Sequence, residues 1–339
     1  MLLFTAFSWS SCSVGDQNAF VDKPEEIETK GFFVKDGTIY DGNGRKFTLM
    51  GPNAGVFWQN NKKCHLQSLR EHIPRAGANA VRLVTVTNNE DWAWNSTAAN
   101  KRAMIEASIE GEIVPMLEFH DATCDDDFEP VADYWKSEKI IQLCKEFEKY
   151  LIINLANEHN FETMEDWLER YSRLIQNLRK KGINNMIVVD GHSKCGQGPE
   201  VFTKYARDLY EADPQHNVAF SIHMYGYWET ETPKDWQYKV QDWLDSLDQT
   251  GLAFMIGEFG WDEPTNESVP YNPRKVIAKA EKLNMGWFNW SWFDGKDKMR
   301  FNIVKSLCAP PVSDSLTPGG KYIVPYWRKH AEKASIFTE

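Results

Sequence analysis

The sequence lacks the marks of several large protein classes. None of its 339 residues fall in an apolar run of 18 or more, so we expect no membrane-spanning helix and no membrane partner. Neither a GxGxxG nor a GxxxxGK[ST] motif occurs, which argues against a nucleotide-binding loop. The formal net charge is −11 without a basic stripe, and this excludes the usual nucleic-acid partner.

Cysteine is scarce as well. The six cysteines form no CxxC pair, so a structural zinc site is not expected, and we predict neither a metal nor a cofactor. The acidic stretch Cys124–Asp127 has no mid-loop glycine and no closing glutamate of an EF-hand, which favours a solvated loop over a calcium site.

The N-terminal region is predicted to direct export. Residues 1–15 run from apolar to small side chains, as in a secretory signal, so we expect a secreted, extracellular protein. Residues 16–30 are charged and contain proline, and they are predicted to form a flexible lead. Residues 31–339 would then form one domain.

Aromatic residues are abundant, in contrast to cysteine. The chain has 14 Trp, 12 Tyr and 19 Phe. Tryptophan carries a large apolar face, and an excess beyond the needs of the core often forms ring-stacking surfaces. Sugar rings present flat C–H faces, and a neutral sugar polymer tolerates an acidic protein. These features favour a neutral polysaccharide as the partner.

Eight short apolar runs recur along the chain. They lack strict alternation, as expected for parallel strands buried on both faces. Their C-terminal ends lie roughly 35 residues apart, the length of a strand, a loop and a crossover helix. The runs are Phe47–Ala54, Ala78–Val86, Glu112–His120, Leu151–Glu158, Asn185–Gly191, Val218–Tyr225, Ala253–Gly260 and Gly286–Trp292.

Amphipathic segments lie between the runs and predict helices, among them Tyr134–Lys149, Trp167–Arg179 and Lys239–Leu247. Eight alternating strands and helices predict an α/β protein with a (β/α)8 TIM barrel. A doubly wound sheet is the alternative, but it would usually need fewer strands. A β-hairpin over 32–46 is predicted to plug the bottom of the barrel, and Tyr322–Ala334 is predicted to be a closing helix.

The active site of such a barrel lies at the C-terminal ends of its strands. Polar or aromatic side chains end most of the predicted strands: Arg82, His120, Asn157, Glu158, His223, Tyr225, Glu258, Trp290 and Trp292. Glu158 and Glu258 each follow an apolar run directly, which desolvates a carboxylate at a cost that function can compensate. Two carboxyl groups that face each other across a barrel mouth are what glycoside hydrolysis requires.

The motifs around these residues resemble a known family. Asn157-Glu158, Ser221–Tyr225 and Ile256–Gly260 are similar to the signatures of glycoside hydrolase family 5. Glu118–Thr123 and Gly286–Trp292 resemble the branch of that family that includes bacterial endo-β-1,4-mannanases. The resemblance covers the chain from about Gly31 to its C-terminus.

The resemblance implies roles for the catalytic pair and its neighbours. Glu158 would be the acid/base and Glu258 the nucleophile of a retaining reaction. Asn157 would bind the sugar 2-OH beside the cleaved bond, and His223 would orient Glu158.

The resemblance also implies which side chains support and line the cleft. Arg82 and Tyr225 would hold Glu258 ionised. His120 would line the −1 subsite, Trp290 would be its stacking platform, and Trp292 would extend the cleft.

Two departures from the family pattern fall near the predicted cleft. His159 follows the catalytic Asn-Glu pair, where tryptophan is usual. Lys194-Cys195-Gly196-Gln197 stands where Gly-Trp-Gly-Gln is common. Both lie where subsite geometry and substrate preference are set, and neither changes the two glutamates.

The predicted function is endo-acting cleavage of β-1,4-mannosidic linkages by a monomer. The expected partner is mannan, glucomannan or cellulose. Endo-β-1,4-glucanase activity is the close alternative, and an inactive glycan-binding barrel is the alternative outside enzymes. If the chain is exported, a disulfide between Cys64 and Cys124 is predicted, since both follow strands at the same end of the barrel.

Overall fold

The structure is a computed structural model that describes residues 20–87, 93–192, 195–225, 242–261, 273–298 and 301–338. The predicted signal segment 1–15 lies outside the described residues. The eight predicted strands are all present and close a parallel barrel, in which each strand pairs with the next one along the chain and the last pairs with the first. The predicted (β/α)8 architecture is therefore confirmed.

The barrel strands are shorter than the apolar runs that predicted them, because the runs also include loop residues before or after each strand. Each residue in these strands is buried, as expected for parallel strands covered on both faces. The strands are β3 Met50–Ala54, β4 Ala80–Leu83, β5 Val114–Glu118, β6 Ile152–Asn154, β7 Ile187–Asp190, β8 Val218–Met224, β9 Phe254–Gly260 and β10 Gly286–Trp290.

Helices surround the barrel and fill the connections between strands. They are α1 Lys62–Gln67, α2 Ile73–Arg75, α3 Ala98–Glu110, α4 Glu129–Lys136, α5 Glu138–Glu146, α6 Met164–Lys180, α7 Glu200–Ala212, α8 (described over 242–248), α9 Pro273–Lys282 and α10 Pro318–His330. A π-helical turn, Ser68–His72, joins α1 to α2, and 3₁₀ turns form at Lys296–Lys298, Ser313–Ser315 and Ser335–Phe337. Among the described helices, none is long and apolar enough to cross a membrane.

Local hydrogen bonds explain why two predicted helices have other boundaries in the structure. The stretch Tyr134–Lys149 is divided between α4 and α5, because Ser137 is extended (φ −68°, ψ 138°) and its hydroxyl donates to the carbonyl of Tyr134. Such local side-chain bonds compete with helix continuation. The closing helix begins earlier than predicted, at the N-cap Thr317, whose hydroxyl accepts from the amide of Gly320.

The predicted hairpin forms and plugs the N-terminal end of the barrel. Strands β1 Phe33–Lys35 and β2 Thr38–Tyr40 pair antiparallel, and Gly37 supplies the left-handed turn residue with φ +71°. Phe32, together with side chains of both strands, packs in one cluster with the inward-facing residues of the barrel. The side-chain amide of Asn217 ties the hairpin down through the amide of Val34 at 3.0 Å and the carbonyl of Phe32 at 3.2 Å.

The described part of the predicted lead contacts the rest of the protein. Ile27 is buried, and Phe20 forms a bridge with Arg45. The amide of Lys30 donates to Glu148 at 2.8 Å. Residues 20–30 therefore follow a defined path beside the hairpin.

The predicted disulfide between Cys64 and Cys124 is wrong. Cys64 bonds to Cys308, and Cys124 bonds to Cys195, while the buried Cys144 carries a free thiol. Barrel closure explains the first bond, because β10 is a direct neighbour of β3 and brings the loop containing Cys308 to α1. Strand β4 separates β3 from β5, so the loops after those two strands do not meet at their cysteines.

Candidate active site

The two predicted carboxylates meet at the barrel mouth. Glu258 lies in β9 beside His223 of the neighbouring strand β8, and Glu158 lies in the loop after β6. One oxygen of each glutamate and one ring nitrogen of His223 all lie within 4.8 Å of one another. That separation fits a retaining glycosidase, whose carboxyl groups stand about 5–5.5 Å apart, better than an inverting one at about 6.5–9.5 Å.

Glu258 is held by two donors, one on each carboxylate oxygen. Arg82 Nη1 donates to Oε1 at 2.6 Å, and the Tyr225 hydroxyl donates to Oε2 at 2.9 Å. Burial raises the pKa of Glu258, whereas the positive charges of His223 and Arg82 oppose that rise. The donors stabilise the ionised carboxylate, which is the form that a nucleophile requires.

Arg82 is the centre of a buried polar network under the mouth. Its guanidinium donates to the side-chain oxygens of Asn53 at 3.0 Å, Asn154 at 2.8 Å, Asn157 at 2.8 Å and Glu258 at 2.6 Å. Burial would lower the pKa of Arg82, but Glu118, Glu258 and Asp190 together raise it above its usual value. Arg82 therefore remains a fixed positive charge next to Glu258.

Glu158 is oriented by two donors that reach the same oxygen. His223 Nδ1 lies 3.0 Å and Gln197 Nε2 lies 2.9 Å from Glu158 Oε1. Burial opposes the charge on His223, yet Asp190, Glu258 and Glu158 raise the pKa of His223 to about 9. His223 is therefore an imidazolium at neutral pH, with Nδ1–H available to Glu158 and Nε2 3.2 Å from Asp190 Oδ2.

Asn157 lies beside the two glutamates. Its side-chain oxygen accepts from Arg82, and its amide nitrogen donates to the Thr123 hydroxyl at 2.7 Å. Both ends of the amide are thus fixed by the protein, which presets the orientation of the side chain next to Glu158.

Aromatic rings form a wall on one side of the carboxylates. The His120 ring stacks on Trp290 with centroids 5.7 Å apart and an interplanar angle of 19°. Burial opposes the charge on His120, but Glu118 raises its pKa through a contact of 3.1 Å to Nδ1. Trp58 lies 6.1 Å from each of these two rings, and 37% of its surface is exposed.

The indoles of the wall share one acceptor. Trp58 Nε1 donates to Asp294 Oδ1 at 2.6 Å, and Trp290 Nε1 donates to Asp294 Oδ2 at 3.0 Å. Trp292, by contrast, is only 1% exposed and belongs to the main hydrophobic core. The prediction that Trp292 extends the cleft is therefore corrected. Trp292 does follow the last barrel strand, but its ring is buried in the core.

The sequence prediction missed Trp58, Asp190 and Gln197. Asp190 ends β7 just as the predicted residues end their strands, so the same strand-end rule identifies it. Trp58 follows β3 by four positions in a loop. Gln197 stands in the stretch Lys194–Gln197, which was considered only because its first two residues depart from the family pattern. Loop residues of this kind cannot be assigned without the path of the loop.

Within the part of the chain that the structure describes, one cluster has a spacing that could hold a metal ion, namely Glu158, His223 and Glu258. The charge balance argues against that use. A metal ligand must offer a lone pair, but His223 has a pKa of about 9 and is protonated at neutral pH. Arg82 already occupies Glu258 Oε1. The group fits proton transfer better than metal binding.

His159, the first departure from the family pattern, does not line the cleft. It is fully buried against Phe161 and Phe128, with ring centroids 4.5 Å and 5.3 Å away. Burial lowers the pKa of His159 to about 4. His159 is therefore part of a buried aromatic cluster next to Glu158 and does not contact the substrate cleft.

This burial predicts acid sensitivity that His159→Phe should relieve. In the unfolded chain His159 is protonated below about pH 6.5, whereas in the folded protein it is protonated only below about pH 4. The free energy of unfolding therefore falls as the pH drops from 6.5 to 4. The free energy of unfolding of the variant, taken relative to that of the parent, is expected to be about 2 kcal/mol higher at pH 4.5 than at pH 7. Urea unfolding at both pH values measures this, and an equal difference at the two would contradict it.

Comparison with known proteins identifies the family of this chain. Residues 40–296 match the family model described as "Cellulase (glycosyl hydrolase family 5)". The mannan endo-1,4-beta-mannosidase of Salipaludibacillus agaradhaerens is 31% identical over 266 residues, which cover 77% of this chain and 81% of that relative. The enzyme of the same name from Streptomyces lividans is 27% identical over 79% of this chain and 67% of its own length.

A solved structure of a β-mannanase shares this fold. The β-mannanase of Streptomyces thermolilacinus with mannohexaose superimposes with a TM-score of 0.77 at 26% identity, covering 91% of this chain and 99% of that one. With the family model matched over most of the barrel and a relative above 30% identity, this chain belongs to glycoside hydrolase family 5.

Proposed function

We propose that this protein is a retaining endo-β-1,4-mannanase that cleaves mannan-type polysaccharide through a covalent glycosyl-enzyme intermediate. The observation that carries the proposal is the approach of a Glu158 oxygen to a Glu258 oxygen within 4.8 Å. The substrate class is supported by the relatives named mannan endo-1,4-beta-mannosidase and by neighbours solved with mannohexaose.

In the first step Glu258 attacks the anomeric carbon while Glu158 donates a proton to the departing glycosidic oxygen. Arg82 and Tyr225 hold the Glu258 carboxylate in position for attack. In the second step Glu158 takes a proton from water, which hydrolyses the intermediate and restores Glu258. His223 would keep Glu158 oriented through both steps, since it contacts Oε1 and leaves Oε2 to carry the proton.

The surrounding residues are assigned to the sugar. Asn157 would bind the 2-OH next to the cleaved bond, because its amide is fixed beside both glutamates. His120 would line the −1 subsite, and Trp290 would be the platform for its sugar ring. Trp58 is added to the wall, because its exposed face continues the surface that His120 and Trp290 begin.

Secretion is part of the proposal. Two disulfides support an oxidising compartment, and residues 1–15 are proposed as the signal that directs export. The organisation that follows is a lead over 16–30 and a single catalytic domain over 31–339, acting as a monomer on a neutral β-linked polysaccharide.

A substrate comparison tests this function directly. We expect reducing ends to be released from galactomannan at least tenfold faster than from carboxymethylcellulose at equal mass concentration. Faster release from carboxymethylcellulose would establish the endoglucanase alternative. Binding of mannohexaose without release from either polymer would establish an inactive glycan-binding barrel.

A further inference from the structure

The segment 195–197, which follows β7, makes direct contact with Glu158. The backbone of Gly196 approaches so closely that a Cβ there would lie 2.5 Å from the Cα of Glu158. Gln197, only 6% exposed, donates to Glu158 Oε1 at 2.9 Å. Gly196 and Gln197 match the last two residues of the family's Gly-Trp-Gly-Gln, whereas Cys195 stands where tryptophan is common.

The Cys124–Cys195 disulfide ties this segment across the loop that carries Glu158. On one side the amide of Cys124 donates to the carbonyl of Glu158 at 3.0 Å. On the other side the amide of Cys195 donates to the side chain of Asn160 at 3.2 Å. The loop with Glu158 is therefore held between two segments that are covalently joined.

The backbone at this point adopts conformations that are unfavourable for residues with side chains. Cys124 (φ +59°), Glu158 (φ +45°) and Cys195 (φ +54°) all lie in the left-handed region. Such residues persist only where their surroundings hold them. A covalent link between two of the three supplies that hold.

We propose that Gln197 is a positioning residue for Glu158 and that the Cys124–Cys195 disulfide keeps Gln197 in place; this inference rests on the proposed function. Gln197 and His223 both reach Oε1. With Oε1 fixed by two donors, the proton for the departing oxygen is carried on Oε2. Loss of one donor lets the carboxyl group rotate away from the glycosidic bond.

The test compares two substrates of one variant, Gln197→Met, which removes the donor but retains most of the volume. Mannopentaose needs protonation of its leaving group, whereas a 2,4-dinitrophenyl β-mannobioside does not. We expect kcat/KM for mannopentaose to fall roughly tenfold, the effect of one well-placed hydrogen bond, and kcat/KM for the aryl substrate to change less than twofold. An equal change on both substrates, or none on mannopentaose, would overturn the role of Gln197.

The disulfide is tested with a matched pair of double variants. Cys124→Ser/Cys195→Ser should reproduce the substrate-dependent loss of Gln197→Met. Cys64→Ser/Cys308→Ser opens the longer loop, with a sequence separation of 244 against 71, and should lower the melting temperature at least as much. It should nevertheless leave the ratio of the two kcat/KM values unchanged. Equal ratios in both double variants would refute the role of the disulfide.

The Glu158→Ala variant separates failure of this inference from failure of the proposed function. If Glu158→Ala shows a strong preference for the aryl substrate and Gln197→Met does not, Glu158 is the acid and Gln197 has no positioning role. If Glu158→Ala shows no such preference, the assigned acid is wrong and the inference falls with it.

Discussion

Replacing Glu258 with Gln is expected to lower kcat on every β-mannan substrate by on the order of 10⁴-fold or more, the scale on which loss of a nucleophile acts. The amide cannot attack the anomeric carbon, so no covalent intermediate forms with any leaving group. Its single oxygen can still accept from Arg82, and its amide nitrogen can donate to the hydroxyl oxygen of Tyr225, which preserves the geometry of the cleft. Mannohexaose binding, measured by calorimetry, should therefore stay within a few fold of the parent.

A buried carboxylate far from the mouth provides the control for Glu258→Gln. Asp213 is paired with Arg179 at the opposite end of the barrel, with a nitrogen–oxygen distance of 2.9 Å. Arg179 lowers the pKa of Asp213 against the effect of burial, so the pair stabilises the ionised form. Asp213→Asn should lower stability but leave kcat/KM nearly unchanged. Turnover by Glu258→Gln at more than a hundredth of the parental rate would show that Glu258 is not the nucleophile.

Replacing Glu158 with Ala is expected to divide substrates according to their leaving groups. Without the general acid, kcat/KM on mannopentaose should fall about 10²–10⁴-fold. A 2,4-dinitrophenyl β-mannobioside needs little protonation, so its kcat/KM should fall by less than about tenfold. The intermediate then accumulates because no base activates water, and stopped-flow absorbance should record a burst of dinitrophenolate.

Added azide gives this prediction a stereochemical readout. In Glu158→Ala a small anion can enter the space of the lost carboxyl group and attack the intermediate from the side of the departed aglycone. The product is expected to be the β-mannobiosyl azide, with turnover raised by azide. Glu258→Ala should instead yield the α anomer, since azide would replace the nucleophile on the opposite face. An α product from Glu158→Ala would reverse the assigned roles, and proton NMR distinguishes the two.

The fold and the catalytic pair could be predicted because both depend on local sequence. A strand buried on two faces must be apolar along its length, so each barrel strand is visible as a run. A carboxylate at the end of such a run then lies at the mouth, whatever the loops do. The same reasoning placed Arg82, Asn157, His223 and Tyr225 correctly around the two glutamates.

Side-chain orientation was decided by packing. Trp290 and Trp292 stand two positions apart in the sequence and look equivalent there. In the structure Trp290 faces His120, whereas Trp292 lies in the core. Strand β10 ends at Trp290, so the alternation of a strand no longer fixes the direction of Trp292.

By itself the sequence determined the barrel, the end of it that carries the chemistry, and the two glutamates, because strand burial and strand ends leave a periodic record in the residues. The tertiary structure alone decided which cysteines pair and that Gln197 reaches Glu158. Those contacts depend on the paths of loops across the barrel mouth. Loop paths follow from barrel closure and from contacts between segments far apart in the chain. A local sequence pattern predicts neither of these.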